Sequence, residues 1–178
     1  MRDRFWEKYS LGELNNREWE ALCDGCGQCC LKRRVEDGVV TVYGVACPLL
    51  DIETARCSDY ANRLRKVPHC HDLTPSSLPD VEGWLPETCA YRRLHNNEPL
   101  PAWHPLLAGD RARMRKKGIT VSHYAIPSGT LSRRQKERHI VLQWSISKKR
   151  RHSPKNWKPS GGGNCSPEAS KRGPMNRK

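Results

Sequence analysis

Cys23, Cys26 and Cys29 follow one another at C-x2-C-x2-C spacing, and Cys30 stands directly after the last of them. A C-x2-C pair places two sulfurs on one turn of chain, which suits a chelate ring around a soft metal ion. Thiolates bind zinc, copper(I) or iron–sulfur clusters best because the ligand is soft and anionic. The first three cysteines match the ligand run of bacterial ferredoxins, whose fourth ligand is a Cys-Pro. Cys47-Pro48 offers such a dipeptide further along. Cys57, Cys70 and Cys89 are the remaining ligand candidates, with His69 and His71 flanking Cys70. Eight thiols are enough for two four-coordinate sites, or for one site with spare structural cysteines, and spacing alone leaves the pairing open. Cys165 stands apart near the C-terminal end.

So dense a set of cysteines needs a chemical reason, either disulfides outside the cytoplasm or metal ligation inside it. The opening stretch MRDRFWEKYSLGELNNREWEAL scatters charge throughout and holds no apolar run. It reads as neither a secretory signal nor a membrane span. The expectation is therefore a cytoplasmic protein with reduced thiols and a bound metal as partner and no membrane attachment.

Charge divides the chain in two. The net charge is +13, yet residues 1–110 are mildly acidic and the whole excess of Lys and Arg lies behind them. The hydrophobic fraction is 36% with a single Phe and six Trp. A core this lean often relies on a metal or disulfides.

The elements that must carry the cysteines are short. NREWEALC reads as a helix with Asn16 as its N-cap and Trp19, Leu22 and Cys23 on one face. It delivers the chain to CDGCGQCC, where Gly25 and Gly27 permit tight turns. VEDGVVTVYGV (Val35–Val45) reads as a hairpin with an Asp-Gly turn, leading into Cys47. Residues 49–107 are rich in Pro and loops, with helical pieces around Asp59–Arg65 and Glu87–Leu94. Gly118–Ile126 reads as a strand. Beyond Pro127, charge runs, Gly and Pro read as largely disordered chain, most clearly after about residue 145.

Four motifs in order bring a family into view: CDGCGQCC, GVAC (Gly44–Cys47), WLPETCAYR (Trp84–Arg92) and LPAWHPLLAGD (Leu100–Asp110). Together they resemble the YkgJ-type cysteine-cluster (CxxCxxCC) family, described as zinc- or iron-chelating, and within it the uncharacterised bacterial YcgN-like proteins. The resemblance spans about Trp6 to Ile126. It implies that Cys23, Cys26, Cys29 and Cys30 hold the defining positions, and that Cys47, Cys57, Cys70 and Cys89 fall where similar proteins carry further cysteines. Two departures stand out. Ala55-Arg56-Cys57 replaces a C-x-C pair, and a basic tail replaces a short acidic ending that Arg138–Val141 only weakly echoes.

Other residues have bland readings. Trp103-His104-Pro105 suits a packing corner with the Trp buried and the His at its edge. Trp84, Leu85 and Pro86 suit a cover beside Cys89, and Asp24 and Gln28 suit solvated turn positions. No paired carboxylates, phosphate loop or nucleophile elbow appear, so the sequence assigns no reaction.

The resulting expectation is a small, loop-rich, metal-stabilised α+β domain over residues 5–126 with a basic extension over 127–178. It binds zinc or iron through Cys23, Cys26, Cys29, Cys30, Cys47, Cys57, Cys70 and Cys89. Two alternatives remain: an iron–sulfur protein with a redox or enzymatic role, and nucleic-acid binding through the tail, where Lys and Arg attract phosphates. No protein partner is indicated.

Overall fold

The structure is a computed structural model that describes residues 1–129 and 131–146. These form one unit, an α+β arrangement of brief helices around small antiparallel sheets. Helices α1 (Phe5–Lys8) and α2 (Asn16–Ala21) lead to a 3-10 turn at Gln28–Cys30, followed by strands β1 (Leu31–Glu36) and β2 (Val39–Ala46). Strands β3 (Leu50–Asp51) and β4 (Arg56–Cys57) make a short ladder. Helices α3 (Arg63–Lys66), α4 (Leu78–Val81), α5 (Ala90–His95), α6 (Pro105–Ala108), α7 (Ala112–Lys116) and α8 (Arg133–Glu137) precede strand β5 (Ile140–Ser145).

The N-cap of α2 is Asn15, one residue ahead of the expected Asn16. Its side chain accepts from the Glu18 amide, and Glu18 reaches back to the Asn15 amide to close a capping box. Glu18 is fully buried and pairs with Arg2 at 2.6 Å. That contact holds the Glu18 carboxyl down at about 2. Trp19 packs on Tyr91 with ring centroids 4.7 Å apart, and the Tyr91 hydroxyl donates to the Trp19 carbonyl at 3.0 Å.

The hairpin forms where the sequence places it. Asp37 and Gly38 both take positive φ, 51° and 75°, as a two-residue turn matching the twist of its strands requires. β2 is the central strand of the order β1-β2-β5. It is buried along nearly its whole length, which explains its continuous β-branched run.

One expectation is corrected. Gly118–Ile126 is not a strand: Val121–His123 make a 3-10 turn, and only Ile126 bridges to Val45. The reason is a long-range bond, since the Val121 amide donates to the Cys26 carbonyl at 2.9 Å. The described residues beyond 126 include a strand of the main sheet. β5 pairs antiparallel with β2 from Val39↔Ser145 to Tyr43↔Ile140. The Trp144 indole donates to the Gly83 carbonyl at 2.9 Å, and the Gln143 amide donates to the Thr41 hydroxyl at 3.1 Å. The remainder of the basic extension, from residue 147 and including Cys165, lies outside the described residues.

Two apolar clusters make the core. One gathers Phe5, Trp19, Leu22, Leu78, Leu85 and Tyr91; the other gathers Leu31, Val40, Val42, Ala46, Leu50 and Val121. Trp84 packs against both. The CDGCGQCC segment runs from Leu22, wholly buried in the first cluster, to Leu31, 4% exposed in the second. The cysteine loop is thus tethered at each end by a buried leucine. Truncating such a side chain to Ala typically costs about 2–5 kcal/mol.

Candidate metal centre

The backbone of the cysteine loop is held from three directions. The Cys23 amide donates to the Glu20 carbonyl at the end of α2, the Cys30 carbonyl accepts from the Cys47 amide, and the Cys26 carbonyl accepts from Val121. Gly25 and Gly27 sit at φ 68° and 78°, a region that residues with a Cβ seldom adopt. A Cβ on Gly27 would also fall 2.6 Å from Val121 Cγ2, and one on Gly25 would collide with the Arg111 guanidinium. The two glycines let the loop fold tightly against its surroundings.

All eight cysteines of the described residues are free thiols. The Cys29 and Cys30 sulfurs stand 4.0 Å apart, about twice a disulfide bond length. Cys23 and Cys29 reach solvent with part of their surface, yet the protein packed around their sulfurs still dominates their electrostatics. Burial, then the negative potential of Cys29 and Asp24, pushes the Cys23 thiol up to about 12. Burial and Asp24 raise Cys26, and the contact with Cys30 followed by burial raises Cys29. Cys89 is pushed up to about 12 by burial, with further contributions from Cys29, Asp24 and Cys23. These thiols therefore stay protonated at neutral pH unless a cation displaces their protons.

Cys89, at the start of α5, thus belongs with the loop cysteines. Of the remaining three, Cys70 is raised chiefly by burial and also by Cys47, Cys57 and Cys29. Cys57 stands opposite Leu50 in the β3–β4 ladder. The Cys47 amide donates to the Cys30 carbonyl at 2.8 Å, joining Cys47 to the end of the loop.

Several neighbours differ from their sequence reading. Asp24 and Gln28 are buried, not solvated. Asp24 Oδ1 accepts from the Cys26 amide at 2.9 Å, and Gln28 Nε2 donates to the Ile119 carbonyl at 2.9 Å. His104 is fully enclosed and Trp103 only half-buried, the reverse of the expected corner. His69 and His71 are exposed, and the His71 ring lies against Trp84 with centroids 4.7 Å apart and planes tilted by 51°.

Arg33 on β1 carries no signal in the sequence, where it is one of a run of basic residues. Its guanidinium donates to the Trp84 carbonyl and, at 3.0 Å, to the Gln28 carbonyl, and lies 4.8 Å from the Trp84 ring centroid. Burial lowers its pKa, opposed by the negative potentials of Cys29, Cys30, Cys89 and Cys26. A planar cation of this kind supports hydrogen bonding and stacking at once. It stands where negative charge would collect if those thiols ionised.

Two features bear on whether a metal suits this centre. The donors are soft thiols grouped around a turn, and Asp24 Oδ2 is a buried carboxylate oxygen without a hydrogen-bond partner. Both fit a cation. Among the described residues no three Cys, His, Asp or Glu side chains are already set at one metal-sized point, so binding would require them to close inward.

The loop, its three surrounding contacts and the eight free thiols define a cysteine-cluster protein of the CxxCxxCC type. Residues 22–90 match the family model described as "CxxCxxCC: Putative zinc- or iron-chelating domain". The chain belongs to the UPF0260 family. It is 47% identical over 129 residues to a UPF0260 protein of Klebsiella pneumoniae subsp. pneumoniae, covering 71% of this chain and 86% of that relative. It is 48% identical over 124 residues to the UPF0260 protein YcgN of Salmonella newport, covering 68% of this chain and 80% of the relative. A UPF0260 protein of Gluconacetobacter diazotrophicus is 43% identical over 161 residues, covering 88% of this chain and 96% of the relative. That match is too long to end at Ile126. No solved structure matches the chain. No helix among the described residues is long and apolar enough to cross a membrane.

Proposed function

We propose that this protein binds zinc or iron through cysteine thiolates, with Cys23, Cys26, Cys29, Cys30 and Cys89 forming the main centre and Cys47, Cys57 and Cys70 adjoining it. The observation that carries the reading is that the fold gathers the free thiols of the loop and brings Cys89 within their electrostatic reach. They come from segments far apart in sequence, yet Cys29 bears on Cys23, Cys26 and Cys89, and Cys23 bears on Cys26 and Cys89. Grouped thiols that resist ionising alone are poor isolated nucleophiles, but a divalent cation neutralises the charge they repel and displaces their protons. The matching family description adds the same two metals. The described unit would then be stabilised by its metal, consistent with a cytoplasmic location where thiols stay reduced.

Titration of the reduced, metal-free full chain with zinc, in competition with a chromophoric chelator, tests this. Zinc uptake near an integral ratio, with proton release and a rise in melting temperature, is expected. Affinity no better than that of a chain with Cys23, Cys26 and Cys29 all replaced by Ser would contradict it.

A further inference from the structure

We propose that Asp24 supplies a carboxylate oxygen to the metal, so that the main centre is a mixed thiolate–carboxylate site rather than an all-sulfur one. The inference rests on the thiolate reading above and deepens it. Asp24 lies between Cys23 and Cys26 and is 6% exposed. Its two oxygens have different surroundings. Oδ1 accepts from the Cys26 amide at 2.9 Å, which holds the carboxylate against the loop backbone. Oδ2 is buried with no hydrogen-bond partner.

A buried carboxylate oxygen left unpaired is costly, and each such atom in a folded protein calls for an explanation. Nearby cations do not provide one. Arg111 packs against Gly25 and feels the Asp24 charge, but it makes no hydrogen bond to Oδ2. The His104 ring is committed to Leu22 and Leu106. Asp24 does bear on Cys23, Cys26, Cys29 and Cys89 together. A cation held by those thiolates is the partner that would satisfy Oδ2. Zinc accepts sulfur and carboxylate oxygen in one shell, and a hard oxygen among soft thiolates widens the range of metals accepted.

The test is X-ray absorption on the full chain loaded with zinc alone, joined to zinc affinity for Asp24→Asn. The amide keeps an oxygen for the Cys26 amide and loses the charge. The expected shell contains sulfur at about 2.3 Å and oxygen at about 2.0–2.2 Å, without imidazole scattering. Asp24→Asn should bind zinc at least roughly tenfold more weakly, because even residues behind the ligands contribute on that scale. Asp24→Glu should recover part of the loss. An all-sulfur shell, an imidazole signature in place of oxygen, or unchanged affinity in a folded Asp24→Asn would overturn the proposal and leave thiolate binding standing. Should Asp24→Asn fail to fold, the wild-type shell decides alone. Failure of the wild-type chain to bind zinc would overturn the thiolate reading and this one with it.

Discussion

His104 Nδ1 accepts the Leu106 amide at 3.2 Å, which leaves Nε2 carrying the proton that it donates to the Leu22 carbonyl at 3.1 Å. One neutral ring thereby joins the start of α6 to the residue that precedes the first cysteine. Its burial, opposed by the Leu22 carbonyl and Asp24, holds the imidazole below its ordinary 6.5.

That ring gives the protein a pH dependence. As pH falls through 6.5 the unfolded chain takes up a proton that the folded ring resists. Stability tied to the neutral ring is therefore full above that value and declines below it. Replacing His104 by Leu should cost about 1–3 kcal/mol, the penalty for stranding buried polar groups, and should flatten the slope between pH 6.5 and 5. Urea unfolding at several pH values would measure both, and an unchanged slope in the variant would assign the dependence elsewhere.

Gly27 faces Val121 across the loop. Gly27→Ala should destabilise by at least ~1 kcal/mol, since it combines a positive φ with a clash against Val121 Cγ2. Trimming Val121 to Ala in the same chain should return part of that loss, because neighbouring sites couple. Thermal unfolding of the double-mutant cycle reads the coupling; strict additivity would mean that the contact does not limit the loop.

Arg33→Met should loosen the junction between the 3-10 turn and Trp84. The lost hydrogen bonds from a charged donor to the Gln28 and Trp84 carbonyls are worth about 1.5–3 kcal/mol each. Arg33→Lys should rescue little, because a single ammonium cannot span both carbonyls and stack on the indole. Metal retention during dialysis, compared across the three proteins, would show whether this cation also offsets thiolate charge.

A chain ending at Ile146 should keep the fold, whereas one ending at Ile126 should unfold readily or aggregate. Removing β5 strips β2 of its ladder from Val39 to Tyr43 and leaves an open, β-branched edge. Circular dichroism with light scattering separates the two chains. Equal stability would show that β5 adds nothing to the sheet.

The parts of this fold legible in the sequence are those with local causes. Asp37-Gly38 between alternating residues specifies its turn, and Asn-rich chain before REWEAL specifies a capped helix to within one residue. β5 was obscured because IVLQWS lies among basic residues whose composition reads as disorder, while its strand character depends on β2. Gly118–Ile126 looked extended because its β-branched residues carry no sign of the Cys26 carbonyl that captures Val121. At the candidate centre, the eight cysteines were evident from their density. Their grouping was not: Cys89 reaches Cys23 and Cys29 only through the packing of α5, and Ala55-Arg56-Cys57 gives no spacing cue. Asp24 and Arg33 were hidden for a similar reason, since burial rather than residue type makes them informative.

The most direct test of thiolate metal binding is the metal content of untagged full-length protein purified without oxygen. Zinc or iron near an integral ratio per chain is predicted, with removal by chelator lowering the melting temperature. Iron accompanied by labile sulfide would specify a cluster, and zinc without visible absorption a single-ion site. Protein that emerges folded, with its thiols reduced and freely reactive, and that carries neither metal would contradict the account.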